Sequence, residues 1–214
     1  SERRPGTGVP FAIVEGDELH LAPPTRGCRS VLAIRGGFEV KTVLGSAATD
    51  TLAGLGPATL RAGDAVGLGD PRRIGTAVTP AAPPRALPAP GEEVELRITL
   101  GPRDDWFTAE ALRALTAQDW EVTPHSDRIG IRLQAATPLH RAGTGELPSE
   151  GVVTGAIQVP PNGQPVLFLP DHPLTGGYPV IAAVIDRDLD LAAQLPPGCR
   201  VRFRVVGAEH PDRG

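Results

Sequence analysis

Apolar and polar residues alternate over short stretches in the second half of the chain, a pattern that predicts β-strands rather than long helices. The stretch from Glu93 to Leu100 places Val94, Leu96 and Ile98 on one side of a strand. Trp120 begins a return strand. Further strands are predicted at residues 129–134, 152–159, 166–169 and 201–206, each bounded by glycine, proline or serine–aspartate pairs.

Two short helices interrupt this series of strands. Thr108 is expected to cap a helix that runs to about Gln118. Asp186 or Asp188 is expected to cap a second helix that runs through Gln194. Strands outnumber helices by about three to one, which indicates a mainly β fold with a closed or nearly closed sheet and a few short covering helices.

The first half contains apolar stretches of strand length at residues 11–22, 29–37 and 58–69. Two of them include a Gly-Asp pair, Gly16-Asp17 and Gly63-Asp64, which predicts the same kind of tight turn at both places. This half is therefore also expected to be rich in β structure.

A proline-rich stretch at residues 79–91 separates the two halves. It contains five prolines and no periodic apolar face, so it predicts a semi-rigid connector. A chain of 214 residues has room for one large domain or two small ones. We expect a β-rich part over residues 1–78, the connector at 79–91, a second domain over 92–208 and a short tail at 209–214.

Composition narrows the class of protein. Glycine (26 residues) and proline (24 residues) together with only 4% aromatic residues exclude a long helical bundle, and 40% hydrophobic residues with a net charge of −4 favour a globular chain over a disordered one. Acidic residues (25) outnumber basic residues (21), so no basic stripe is available for a nucleic acid.

The sequence contains no run of 18 apolar residues, so no membrane partner is expected. The N-terminal stretch also lacks the apolar core of a signal peptide. Cys28 and Cys199 stand alone without metal-ligand spacing, so we expect reduced thiols and no metal. These features together predict a cytoplasmic protein.

Three polar, glycine-containing stretches are candidate sites. In the first, Arg128 and Arg132 flank a glycine and could hold a carboxylate or phosphate in a bidentate manner. Alternatively, Asp127 and Arg128 form a structural turn with a local ion pair. In the second stretch, Gln158 lies among apolar neighbours, and is either a core amide bonded to backbone or a donor and acceptor that faces a substrate.

The third stretch runs from Asp171 to Tyr178. Gly176 and Gly177 permit a ligand to approach the backbone closely, and Thr175 precedes them. The carboxylate of Asp171 stands beside the imidazole of His172, a pair that could perform acid–base chemistry. Alternatively, the two adjacent side chains face different ways and His172 is an exposed loop histidine.

Several phrases of the chain resemble one known family. They are, in order, RSVLAIRGGFEVKTVLGSAATD, GPRDDWFT, SDRIGIRL, SEGVVTGAIQVPPNGQPVLFLPDHPLTGGYPVIAAVI and AQLPPGCRVRF. The family is called allophanate hydrolase subunit 2 or the C subunit of 5-oxoprolinase, and also the KipA or biotin-dependent carboxyltransferase family. The resemblance extends from about Val9 to Val206.

This resemblance implies a pair of cyclophilin-like β-barrels, the second of them at residues 92–208. Members of the family carry a further N-terminal segment, so the absence of methionine leads us to expect a truncated chain with an incomplete first barrel. The resemblance also implies a heteromeric partner, the KipI-like protein known as subunit 1 or as the B subunit, and a third oxoprolinase subunit.

The activity implied is ATP-dependent opening of 5-oxo-L-proline to glutamate, with ATP bound somewhere in the complex. One alternative is biotin-dependent carboxyl transfer as in urea carboxylase, with biotin arriving on another protein. The other is a non-catalytic, KipA-like regulatory or binding subunit.

On the matching positions, the resemblance implies catalytic roles for Asp171, Thr175 and Tyr178. The substrate-binding set comprises Asp127, Arg128, Arg132, Gln158, Gly176 and Gly177. The chain departs from the family pattern at six positions, where more polar or more basic residues are replaced by Ala47, Ala48, His172, Pro173, Leu174 and Val180.

Overall fold

The computed structural model describes residues 5–73, 80, 86–143 and 145–207. These residues divide into two compact units, one made of residues 5–20, 30–73 and 80 and the other of residues 21–29, 86–143 and 145–207. Residues 79 and 81–85 of the predicted connector, and the tail predicted at 209–214, lie outside the described residues.

The second unit is a closed β-barrel of seven strands. These strands are β3 (Glu93–Leu100), β4 (Trp120–Val122), β5 (Gly130–Gln134), β7 (Ala156–Gln158), β8 (Val166–Phe168), β10 (Val180–Val184) and β11 (Arg200–Val205). They follow the order β10-β3-β11-β4-β5-β8-β7, and every pairing is antiparallel except that of β3 with β11. The prediction of a mainly β fold with a closed sheet is confirmed for this unit.

Other elements surround the barrel. Two helices cover it, α1 (Ala109–Ala117) and α2 (Asp186–Ala192), and a short 3-10 helix lies at Asp104–Trp106. Strands β6 (Glu150–Gly151) and β9 (Thr175–Gly176) pair with each other outside the barrel.

The alternation predicted for β3 has its expected effect on burial. Leu96 and Ile98 are fully buried inside the barrel, whereas their polar neighbours are not. The same inward row continues across the sheet through Ile131 on β5, Leu167 on β8 and Ile157 on β7, each at most 1% exposed. Burial of these aliphatic side chains is the main source of stability for the unit.

Helix α1 begins where the sequence predicts. The Thr108 hydroxyl accepts a hydrogen bond from the Ala111 N–H at 3.1 Å and so satisfies one of the free N–H groups of the first turn. The indole N–H of Trp120 donates to the Leu115 carbonyl at 2.9 Å and joins the helix to the next strand. With nine residues this is the longer of the two helices, and no helix of the described residues could cross a membrane.

Helix α2 corrects one prediction. Its N-cap is Ile185, with no side-chain capping bond, so neither Asp186 nor Asp188 caps it. Asp188 is only 6% exposed and instead accepts hydrogen bonds from Arg97 on β3, from the backbone N–H at 2.8 Å and from Nε and Nη2 at 3.0 and 2.7 Å. Arg97, 91 residues away in the chain, therefore binds in a bidentate manner the carboxylate that was expected to cap the helix.

Residues 21–29, called the strap below, belong to the barrel unit although they precede the predicted connector. Arg26 forms a bidentate ion pair with Glu92, at 2.9 and 2.6 Å. The backbone N–H groups of residues 28 and 29 both donate to Gln194 Oε1, at 3.0 and 2.9 Å, and Arg29 also donates to the Ala193 carbonyl. The strap is therefore held in place by side chains of the barrel unit.

The first unit contains one two-stranded sheet among its described residues, β1 (Phe38–Glu39) with β2 (Gly67–Leu68). The strands predicted at 11–22 and 29–37 do not form, and only Gly67–Leu68 of the stretch 58–69 is a strand. None of the described residues of this unit is buried, even where large and apolar. A strand needs a partner and a buried face, and the described residues supply neither.

Both predicted Gly-Asp turns are present and share one geometry. The Asp17 N–H donates to the Val14 carbonyl at 3.0 Å, and the Val14 N–H donates to the Asp17 carboxylate at 2.9 Å. Asp64 and Arg61 repeat this pair of bonds at 3.1 and 2.7 Å. The glycine before each aspartate has a φ of +87° or +90°, a conformation that favours glycine.

We predict that Asp188→Asn lowers the free energy of unfolding by about 2 kcal/mol, because it weakens charge-assisted hydrogen bonds to Arg97. Urea denaturation measures this difference. Asp186→Asn, at an exposed position two residues earlier, is the matched control and should change stability by less than about 0.5 kcal/mol. Equal losses in the two variants would contradict the role assigned to Asp188.

Candidate functional site

The loop of residues 170–179, called the site loop below, lies on the outer face of the barrel. Ile157 on β7 is part of the core, so its neighbour Gln158 points to the opposite, outer face. Gln158 is nevertheless only 3% exposed, because the site loop covers it. Its Nε2 donates to the carbonyl of Tyr178 at 2.9 Å.

Gly176 makes this contact possible. A Cβ atom at position 176 would lie 2.3 Å from Gln158 Nε2, so the buried amide would have to move to admit it. The structure therefore brings together three of the predicted residues, Gln158, Gly176 and Tyr178. Of the two interpretations of Gln158, the bond from its amide nitrogen to backbone is the one observed.

A small apolar cluster supports the site loop. It consists of Val152, Ala156, Phe168 and Val180, with Val166 packed against it. The His172 ring stacks on Phe168 with centroids 5.6 Å apart. Its Nδ1 lies 2.7 Å from the carbonyl oxygen of Pro173, so this nitrogen carries the proton.

An ion pair joins the first and third predicted stretches. Arg128 Nε lies 2.7 Å from Asp171 Oδ2, and both side chains are about half exposed. The aspartate of the site loop is therefore oriented by the turn before β5. The Arg128 guanidinium is already paired with this carboxylate. A ligand anion would therefore have to compete with Asp171 for Arg128.

Asp127 shapes that turn. Its Oδ1 accepts hydrogen bonds from the N–H groups of Ile129 and Gly130, at 2.8 and 3.0 Å. Arg29 of the strap donates from Nη2 to the Asp127 carbonyl at 2.7 Å. The carboxylate is thus engaged with its own turn, and the turn is held from outside by the strap.

Arg132 lies apart from these contacts. It is exposed on β5, opposite Val166 on β8, which in turn lies opposite Gln158 on β7. Two strand spacings of about 4.8 Å therefore place Arg132 about 10 Å from Gln158. No contact between Arg132 and another predicted site residue is found within the described ranges.

A second ion pair, which the sequence did not reveal, lies beside the loop. Arg103 Nε is 3.1 Å from Glu150 Oε2, and its Nη2 also donates to that carboxylate. Glu150 lies opposite Gly176 in the β6–β9 pair. The hydrogen bond from Arg103 lowers the pKa of Glu150, and the carboxylate raises the pKa of Arg103. The two residues are 47 positions apart, so no local pattern indicates the pair.

Arg141 is the other residue that sequence reasoning missed. Its guanidinium carbon lies 5.8 Å from the centre of the Tyr178 ring, within cation–π range. Nη2 donates to the Val159 carbonyl at 2.8 Å. Nε is buried and has no hydrogen-bond partner among the residues that the structure describes.

Thr175 and Gly177 form the exposed edge of the site loop. Thr175 pairs with Gly151, and its side chain faces solvent. In the part of the chain that the structure describes, the N–H of Gly177 has no hydrogen-bond acceptor. A Cβ atom at position 177 would meet nothing within 4 Å. Next to Tyr178, which is 43% exposed, a ligand therefore finds a free backbone donor.

Three other positions where the chain departs from the family pattern, 47, 48 and 180, lie in two different environments. Ala47 and Ala48 are exposed in the first unit, and the Ala48 N–H donates to Ser46 Oγ at 3.1 Å. Val180 is 9% exposed within the apolar cluster under the site loop. A basic side chain at position 180 would have to leave that cluster.

Neither a cluster of metal ligands nor a helix N-terminus suited to a phosphate is found among the described residues. No group of three or more His, Cys, Asp or Glu side chains within these residues could hold a metal. Phosphates favour a free helix N-terminus, but Thr108 occupies the first turn of α1 and Glu110 follows it. Two aspartates stand in the first turn of α2 and would repel an anion.

Comparison with known proteins extends these observations. The family model described as carboxyltransferase domain, subdomain A and B, matches residues 2–205. The C subunit of the 5-oxoprolinase of Escherichia coli strain K12 is 34% identical over 205 residues, which are 92% of this chain and 62% of that protein. The urea amidolyase of Lachancea kluyveri is 32% identical over 215 residues, covering 91% of this chain and 12% of that protein.

Solved structures agree with the fold. The crystal structure of the K. lactis urea amidolyase superposes with a TM-score of 0.72 at 27% identity, covering 86% of this chain and 12% of that one. The chain spans about three-fifths of the length of the 5-oxoprolinase C subunits that it matches. Because the family model covers residues 2–205, the resemblance seen in the sequence is confirmed, and this chain belongs to the carboxyltransferase domain, subdomain A and B, family.

Proposed function

We propose that this chain is the counterpart of the C subunit in a 5-oxoprolinase, which opens 5-oxo-L-proline to glutamate together with a KipI-like partner, the B subunit. The observation that carries the proposal is the 34% identity to the C subunit of a 5-oxoprolinase over 92% of the chain. The exposed edge of the site loop supports it, because its groups match those of a cyclic amide.

A five-membered lactam presents one N–H donor and one carbonyl acceptor on adjacent atoms. The free N–H of Gly177 is a donor for the carbonyl, and the Thr175 hydroxyl can accept from the ring N–H. The hydroxyl of the adjacent Tyr178, a residue that is 43% exposed, can serve as a further donor. Backbone and hydroxyl donors aimed at a carbonyl oxygen stabilise the negative charge that develops there when water attacks.

Asp171 is assigned to proton transfer or to orientation of the attacking water. Its Oδ2 is anchored by Arg128 at 2.7 Å, so the carboxylate has a defined direction although it is half exposed. Asp127 and Gln158 hold the two ends of the site by their backbone contacts. Arg132 is assigned to a supporting charge on the outer face, away from the ring.

The resemblance implies ATP for the complex, and neither helix N-terminus among the described residues suits its phosphates. Thr108 caps α1, and Asp186 and Asp188 stand in the first turn of α2. We assign to this chain the binding and orientation of the amide ring, with ATP bound at the level of the complex.

Biotin-dependent carboxyl transfer is the second candidate function. The family description and the 32% identity to a urea amidolyase favour it. The ureido ring of biotin and urea itself present the same N–H and C=O groups as a lactam, so the same site edge suits them. The only lysine of the sequence, Lys41, is not in a Met-Lys-Met setting, so biotin would have to be carried outside these 214 residues.

We predict that the complex reconstituted with its partner subunits releases glutamate from 5-oxo-L-proline only when ATP is present. Amino-acid analysis of the reaction measures the product. Transfer of labelled carboxyl from carboxybiotin to urea, without glutamate release, would instead support the second candidate.

We expect Asp171→Asn and Tyr178→Phe each to lower kcat by about 10²-fold or more, the usual contribution of a positioned acid or base. Steady-state kinetics of the reconstituted complex measure the effect. Arg113→Gln, on the exposed side of α1, is the control and should retain full activity. Unchanged kcat in both site variants would remove these residues from the mechanism.

The two adjacent glycines provide a matched pair of substitutions. Gly177→Ala should leave the Tm unchanged, because the added Cβ meets open space, but should raise KM for 5-oxo-L-proline about 10-fold or more if a ligand approaches that backbone. Gly176→Ala should lower stability by about 1–3 kcal/mol, because it displaces Gln158 from its bond to Tyr178. Thermal melts and kinetics separate the two effects, and an unchanged KM in Gly177→Ala would argue against binding at this edge.

A further inference from the structure

Arg141, like Arg29 and Arg132, has no carboxylate partner among the described residues of the barrel unit. Elsewhere in this unit arginines such as Arg97, Arg103 and Arg128 are paired with carboxylates. Within the described ranges no carboxylate is paired with Arg141. Its contacts among the residues that the structure describes are the ring of Tyr178 and one carbonyl oxygen.

The hydrogen-bonding capacity of this guanidinium is also largely unused. It offers five N–H donors, and one of those on Nη2 donates to the Val159 carbonyl at 2.8 Å. Nε is buried without a partner among the described residues. A buried N–H of a cation left without an acceptor is unfavourable, and such groups concentrate where a ligand or ordered water completes the set.

The position of Arg141 is fixed by the segment before α1. Its backbone forms a β-bridge with Phe107, and the next residue donates from its N–H to the Trp106 carbonyl at 2.9 Å. The guanidinium is thus held in place under the Tyr178 ring before any ligand binds. A preorganised cation beside an exposed ring is suited to a small anion rather than to a large charged surface.

We propose that Arg141 binds the carboxylate of the ligand that lies against Tyr178, and that it thereby selects cyclic amides that carry a carboxylate. This inference rests on the proposed function for the identity of the ring. It assigns the anion-binding role to Arg141 rather than to Arg128, whose Nε is engaged by Asp171. A bidentate arginine–carboxylate contact would supply both charge and orientation.

The test compares two ligands that differ only in the carboxylate, 5-oxo-L-proline and 2-pyrrolidinone. Isothermal titration calorimetry of the complex with its partner subunit measures both affinities for the wild type, Arg141→Gln and Arg141→Lys. We expect Arg141→Gln to weaken binding of 5-oxo-L-proline by about 10- to 100-fold and to leave binding of 2-pyrrolidinone unchanged. Arg141→Lys keeps the charge but loses the planar fork, and should lie between the two. Arg113→Gln, which removes an equally positive but exposed charge, should change neither affinity.

The possible results separate this inference from the proposed function. Equal weakening for both ligands would show that Arg141 only supports the fold and would overturn the inference, as would a wild-type complex that binds neither ligand. Carboxylate-selective binding that depends on Arg141, in a complex that does not release glutamate, would overturn the proposed function and sustain the role of Arg141. Melting temperatures of the variants, measured in parallel, identify any that are misfolded. If Arg141→Gln is misfolded, the affinities of Arg141→Lys for the two ligands decide between the outcomes.

Discussion

The contact between Gly176 and Gln158 is the constraint on which the site depends. The loop can approach the barrel this closely only because position 176 has no side chain. Gln158 then donates to the carbonyl of Tyr178 and determines where the following residues lie. Gln158 is only 3% exposed, so this bond gives a buried amide the acceptor that it needs. The exposed N–H of Gly177 and the ring of Tyr178 follow from it.

Ion pairs from distant parts of the chain hold the rest of the loop. Asp171 at its beginning is paired with Arg128, and Glu150, which lies opposite Gly176, is paired with Arg103. Each pair is partly exposed, so each contributes orientation more than stability. The strap adds a further anchor, because Arg29 donates to the turn that carries Arg128. The site is therefore built on barrel strands and is held by two ion pairs and by the strap.

The two units differ in how much of their apolar surface is buried in the described structure. In the barrel unit, apolar rows face a common interior, and seven strands close on one another. In the first unit, apolar residues such as Val31 and Leu44 are 90% and 99% exposed. Without buried apolar area the entropy of ordering the chain is not offset. The strand-length stretches 11–22 and 29–37 therefore find no strand partner among the described residues.

Much of the barrel and part of the site could be predicted from the sequence. The alternation in Glu93–Leu100, the Thr108 cap and the two Gly-Asp turns depend on neighbours within a few residues, so their patterns determine their structures. The Gly176-Gly177-Tyr178 segment was also recognisable as a place of close approach. The resemblance to a known family then located these elements in a β-barrel.

The sequence by itself thus determined the secondary-structure elements and the family, whereas the tertiary structure decided which charged side chains pair. Asp188 looks like a helix cap in the sequence, but barrel closure places Arg97 within reach of it. Arg141 carries no local signal at all, and becomes a candidate ligand residue only because it lies under Tyr178 and lacks a carboxylate partner among the described residues. Such contacts join residues tens of positions apart, and they depend on strand register and on burial, neither of which is a property of any short stretch of the chain.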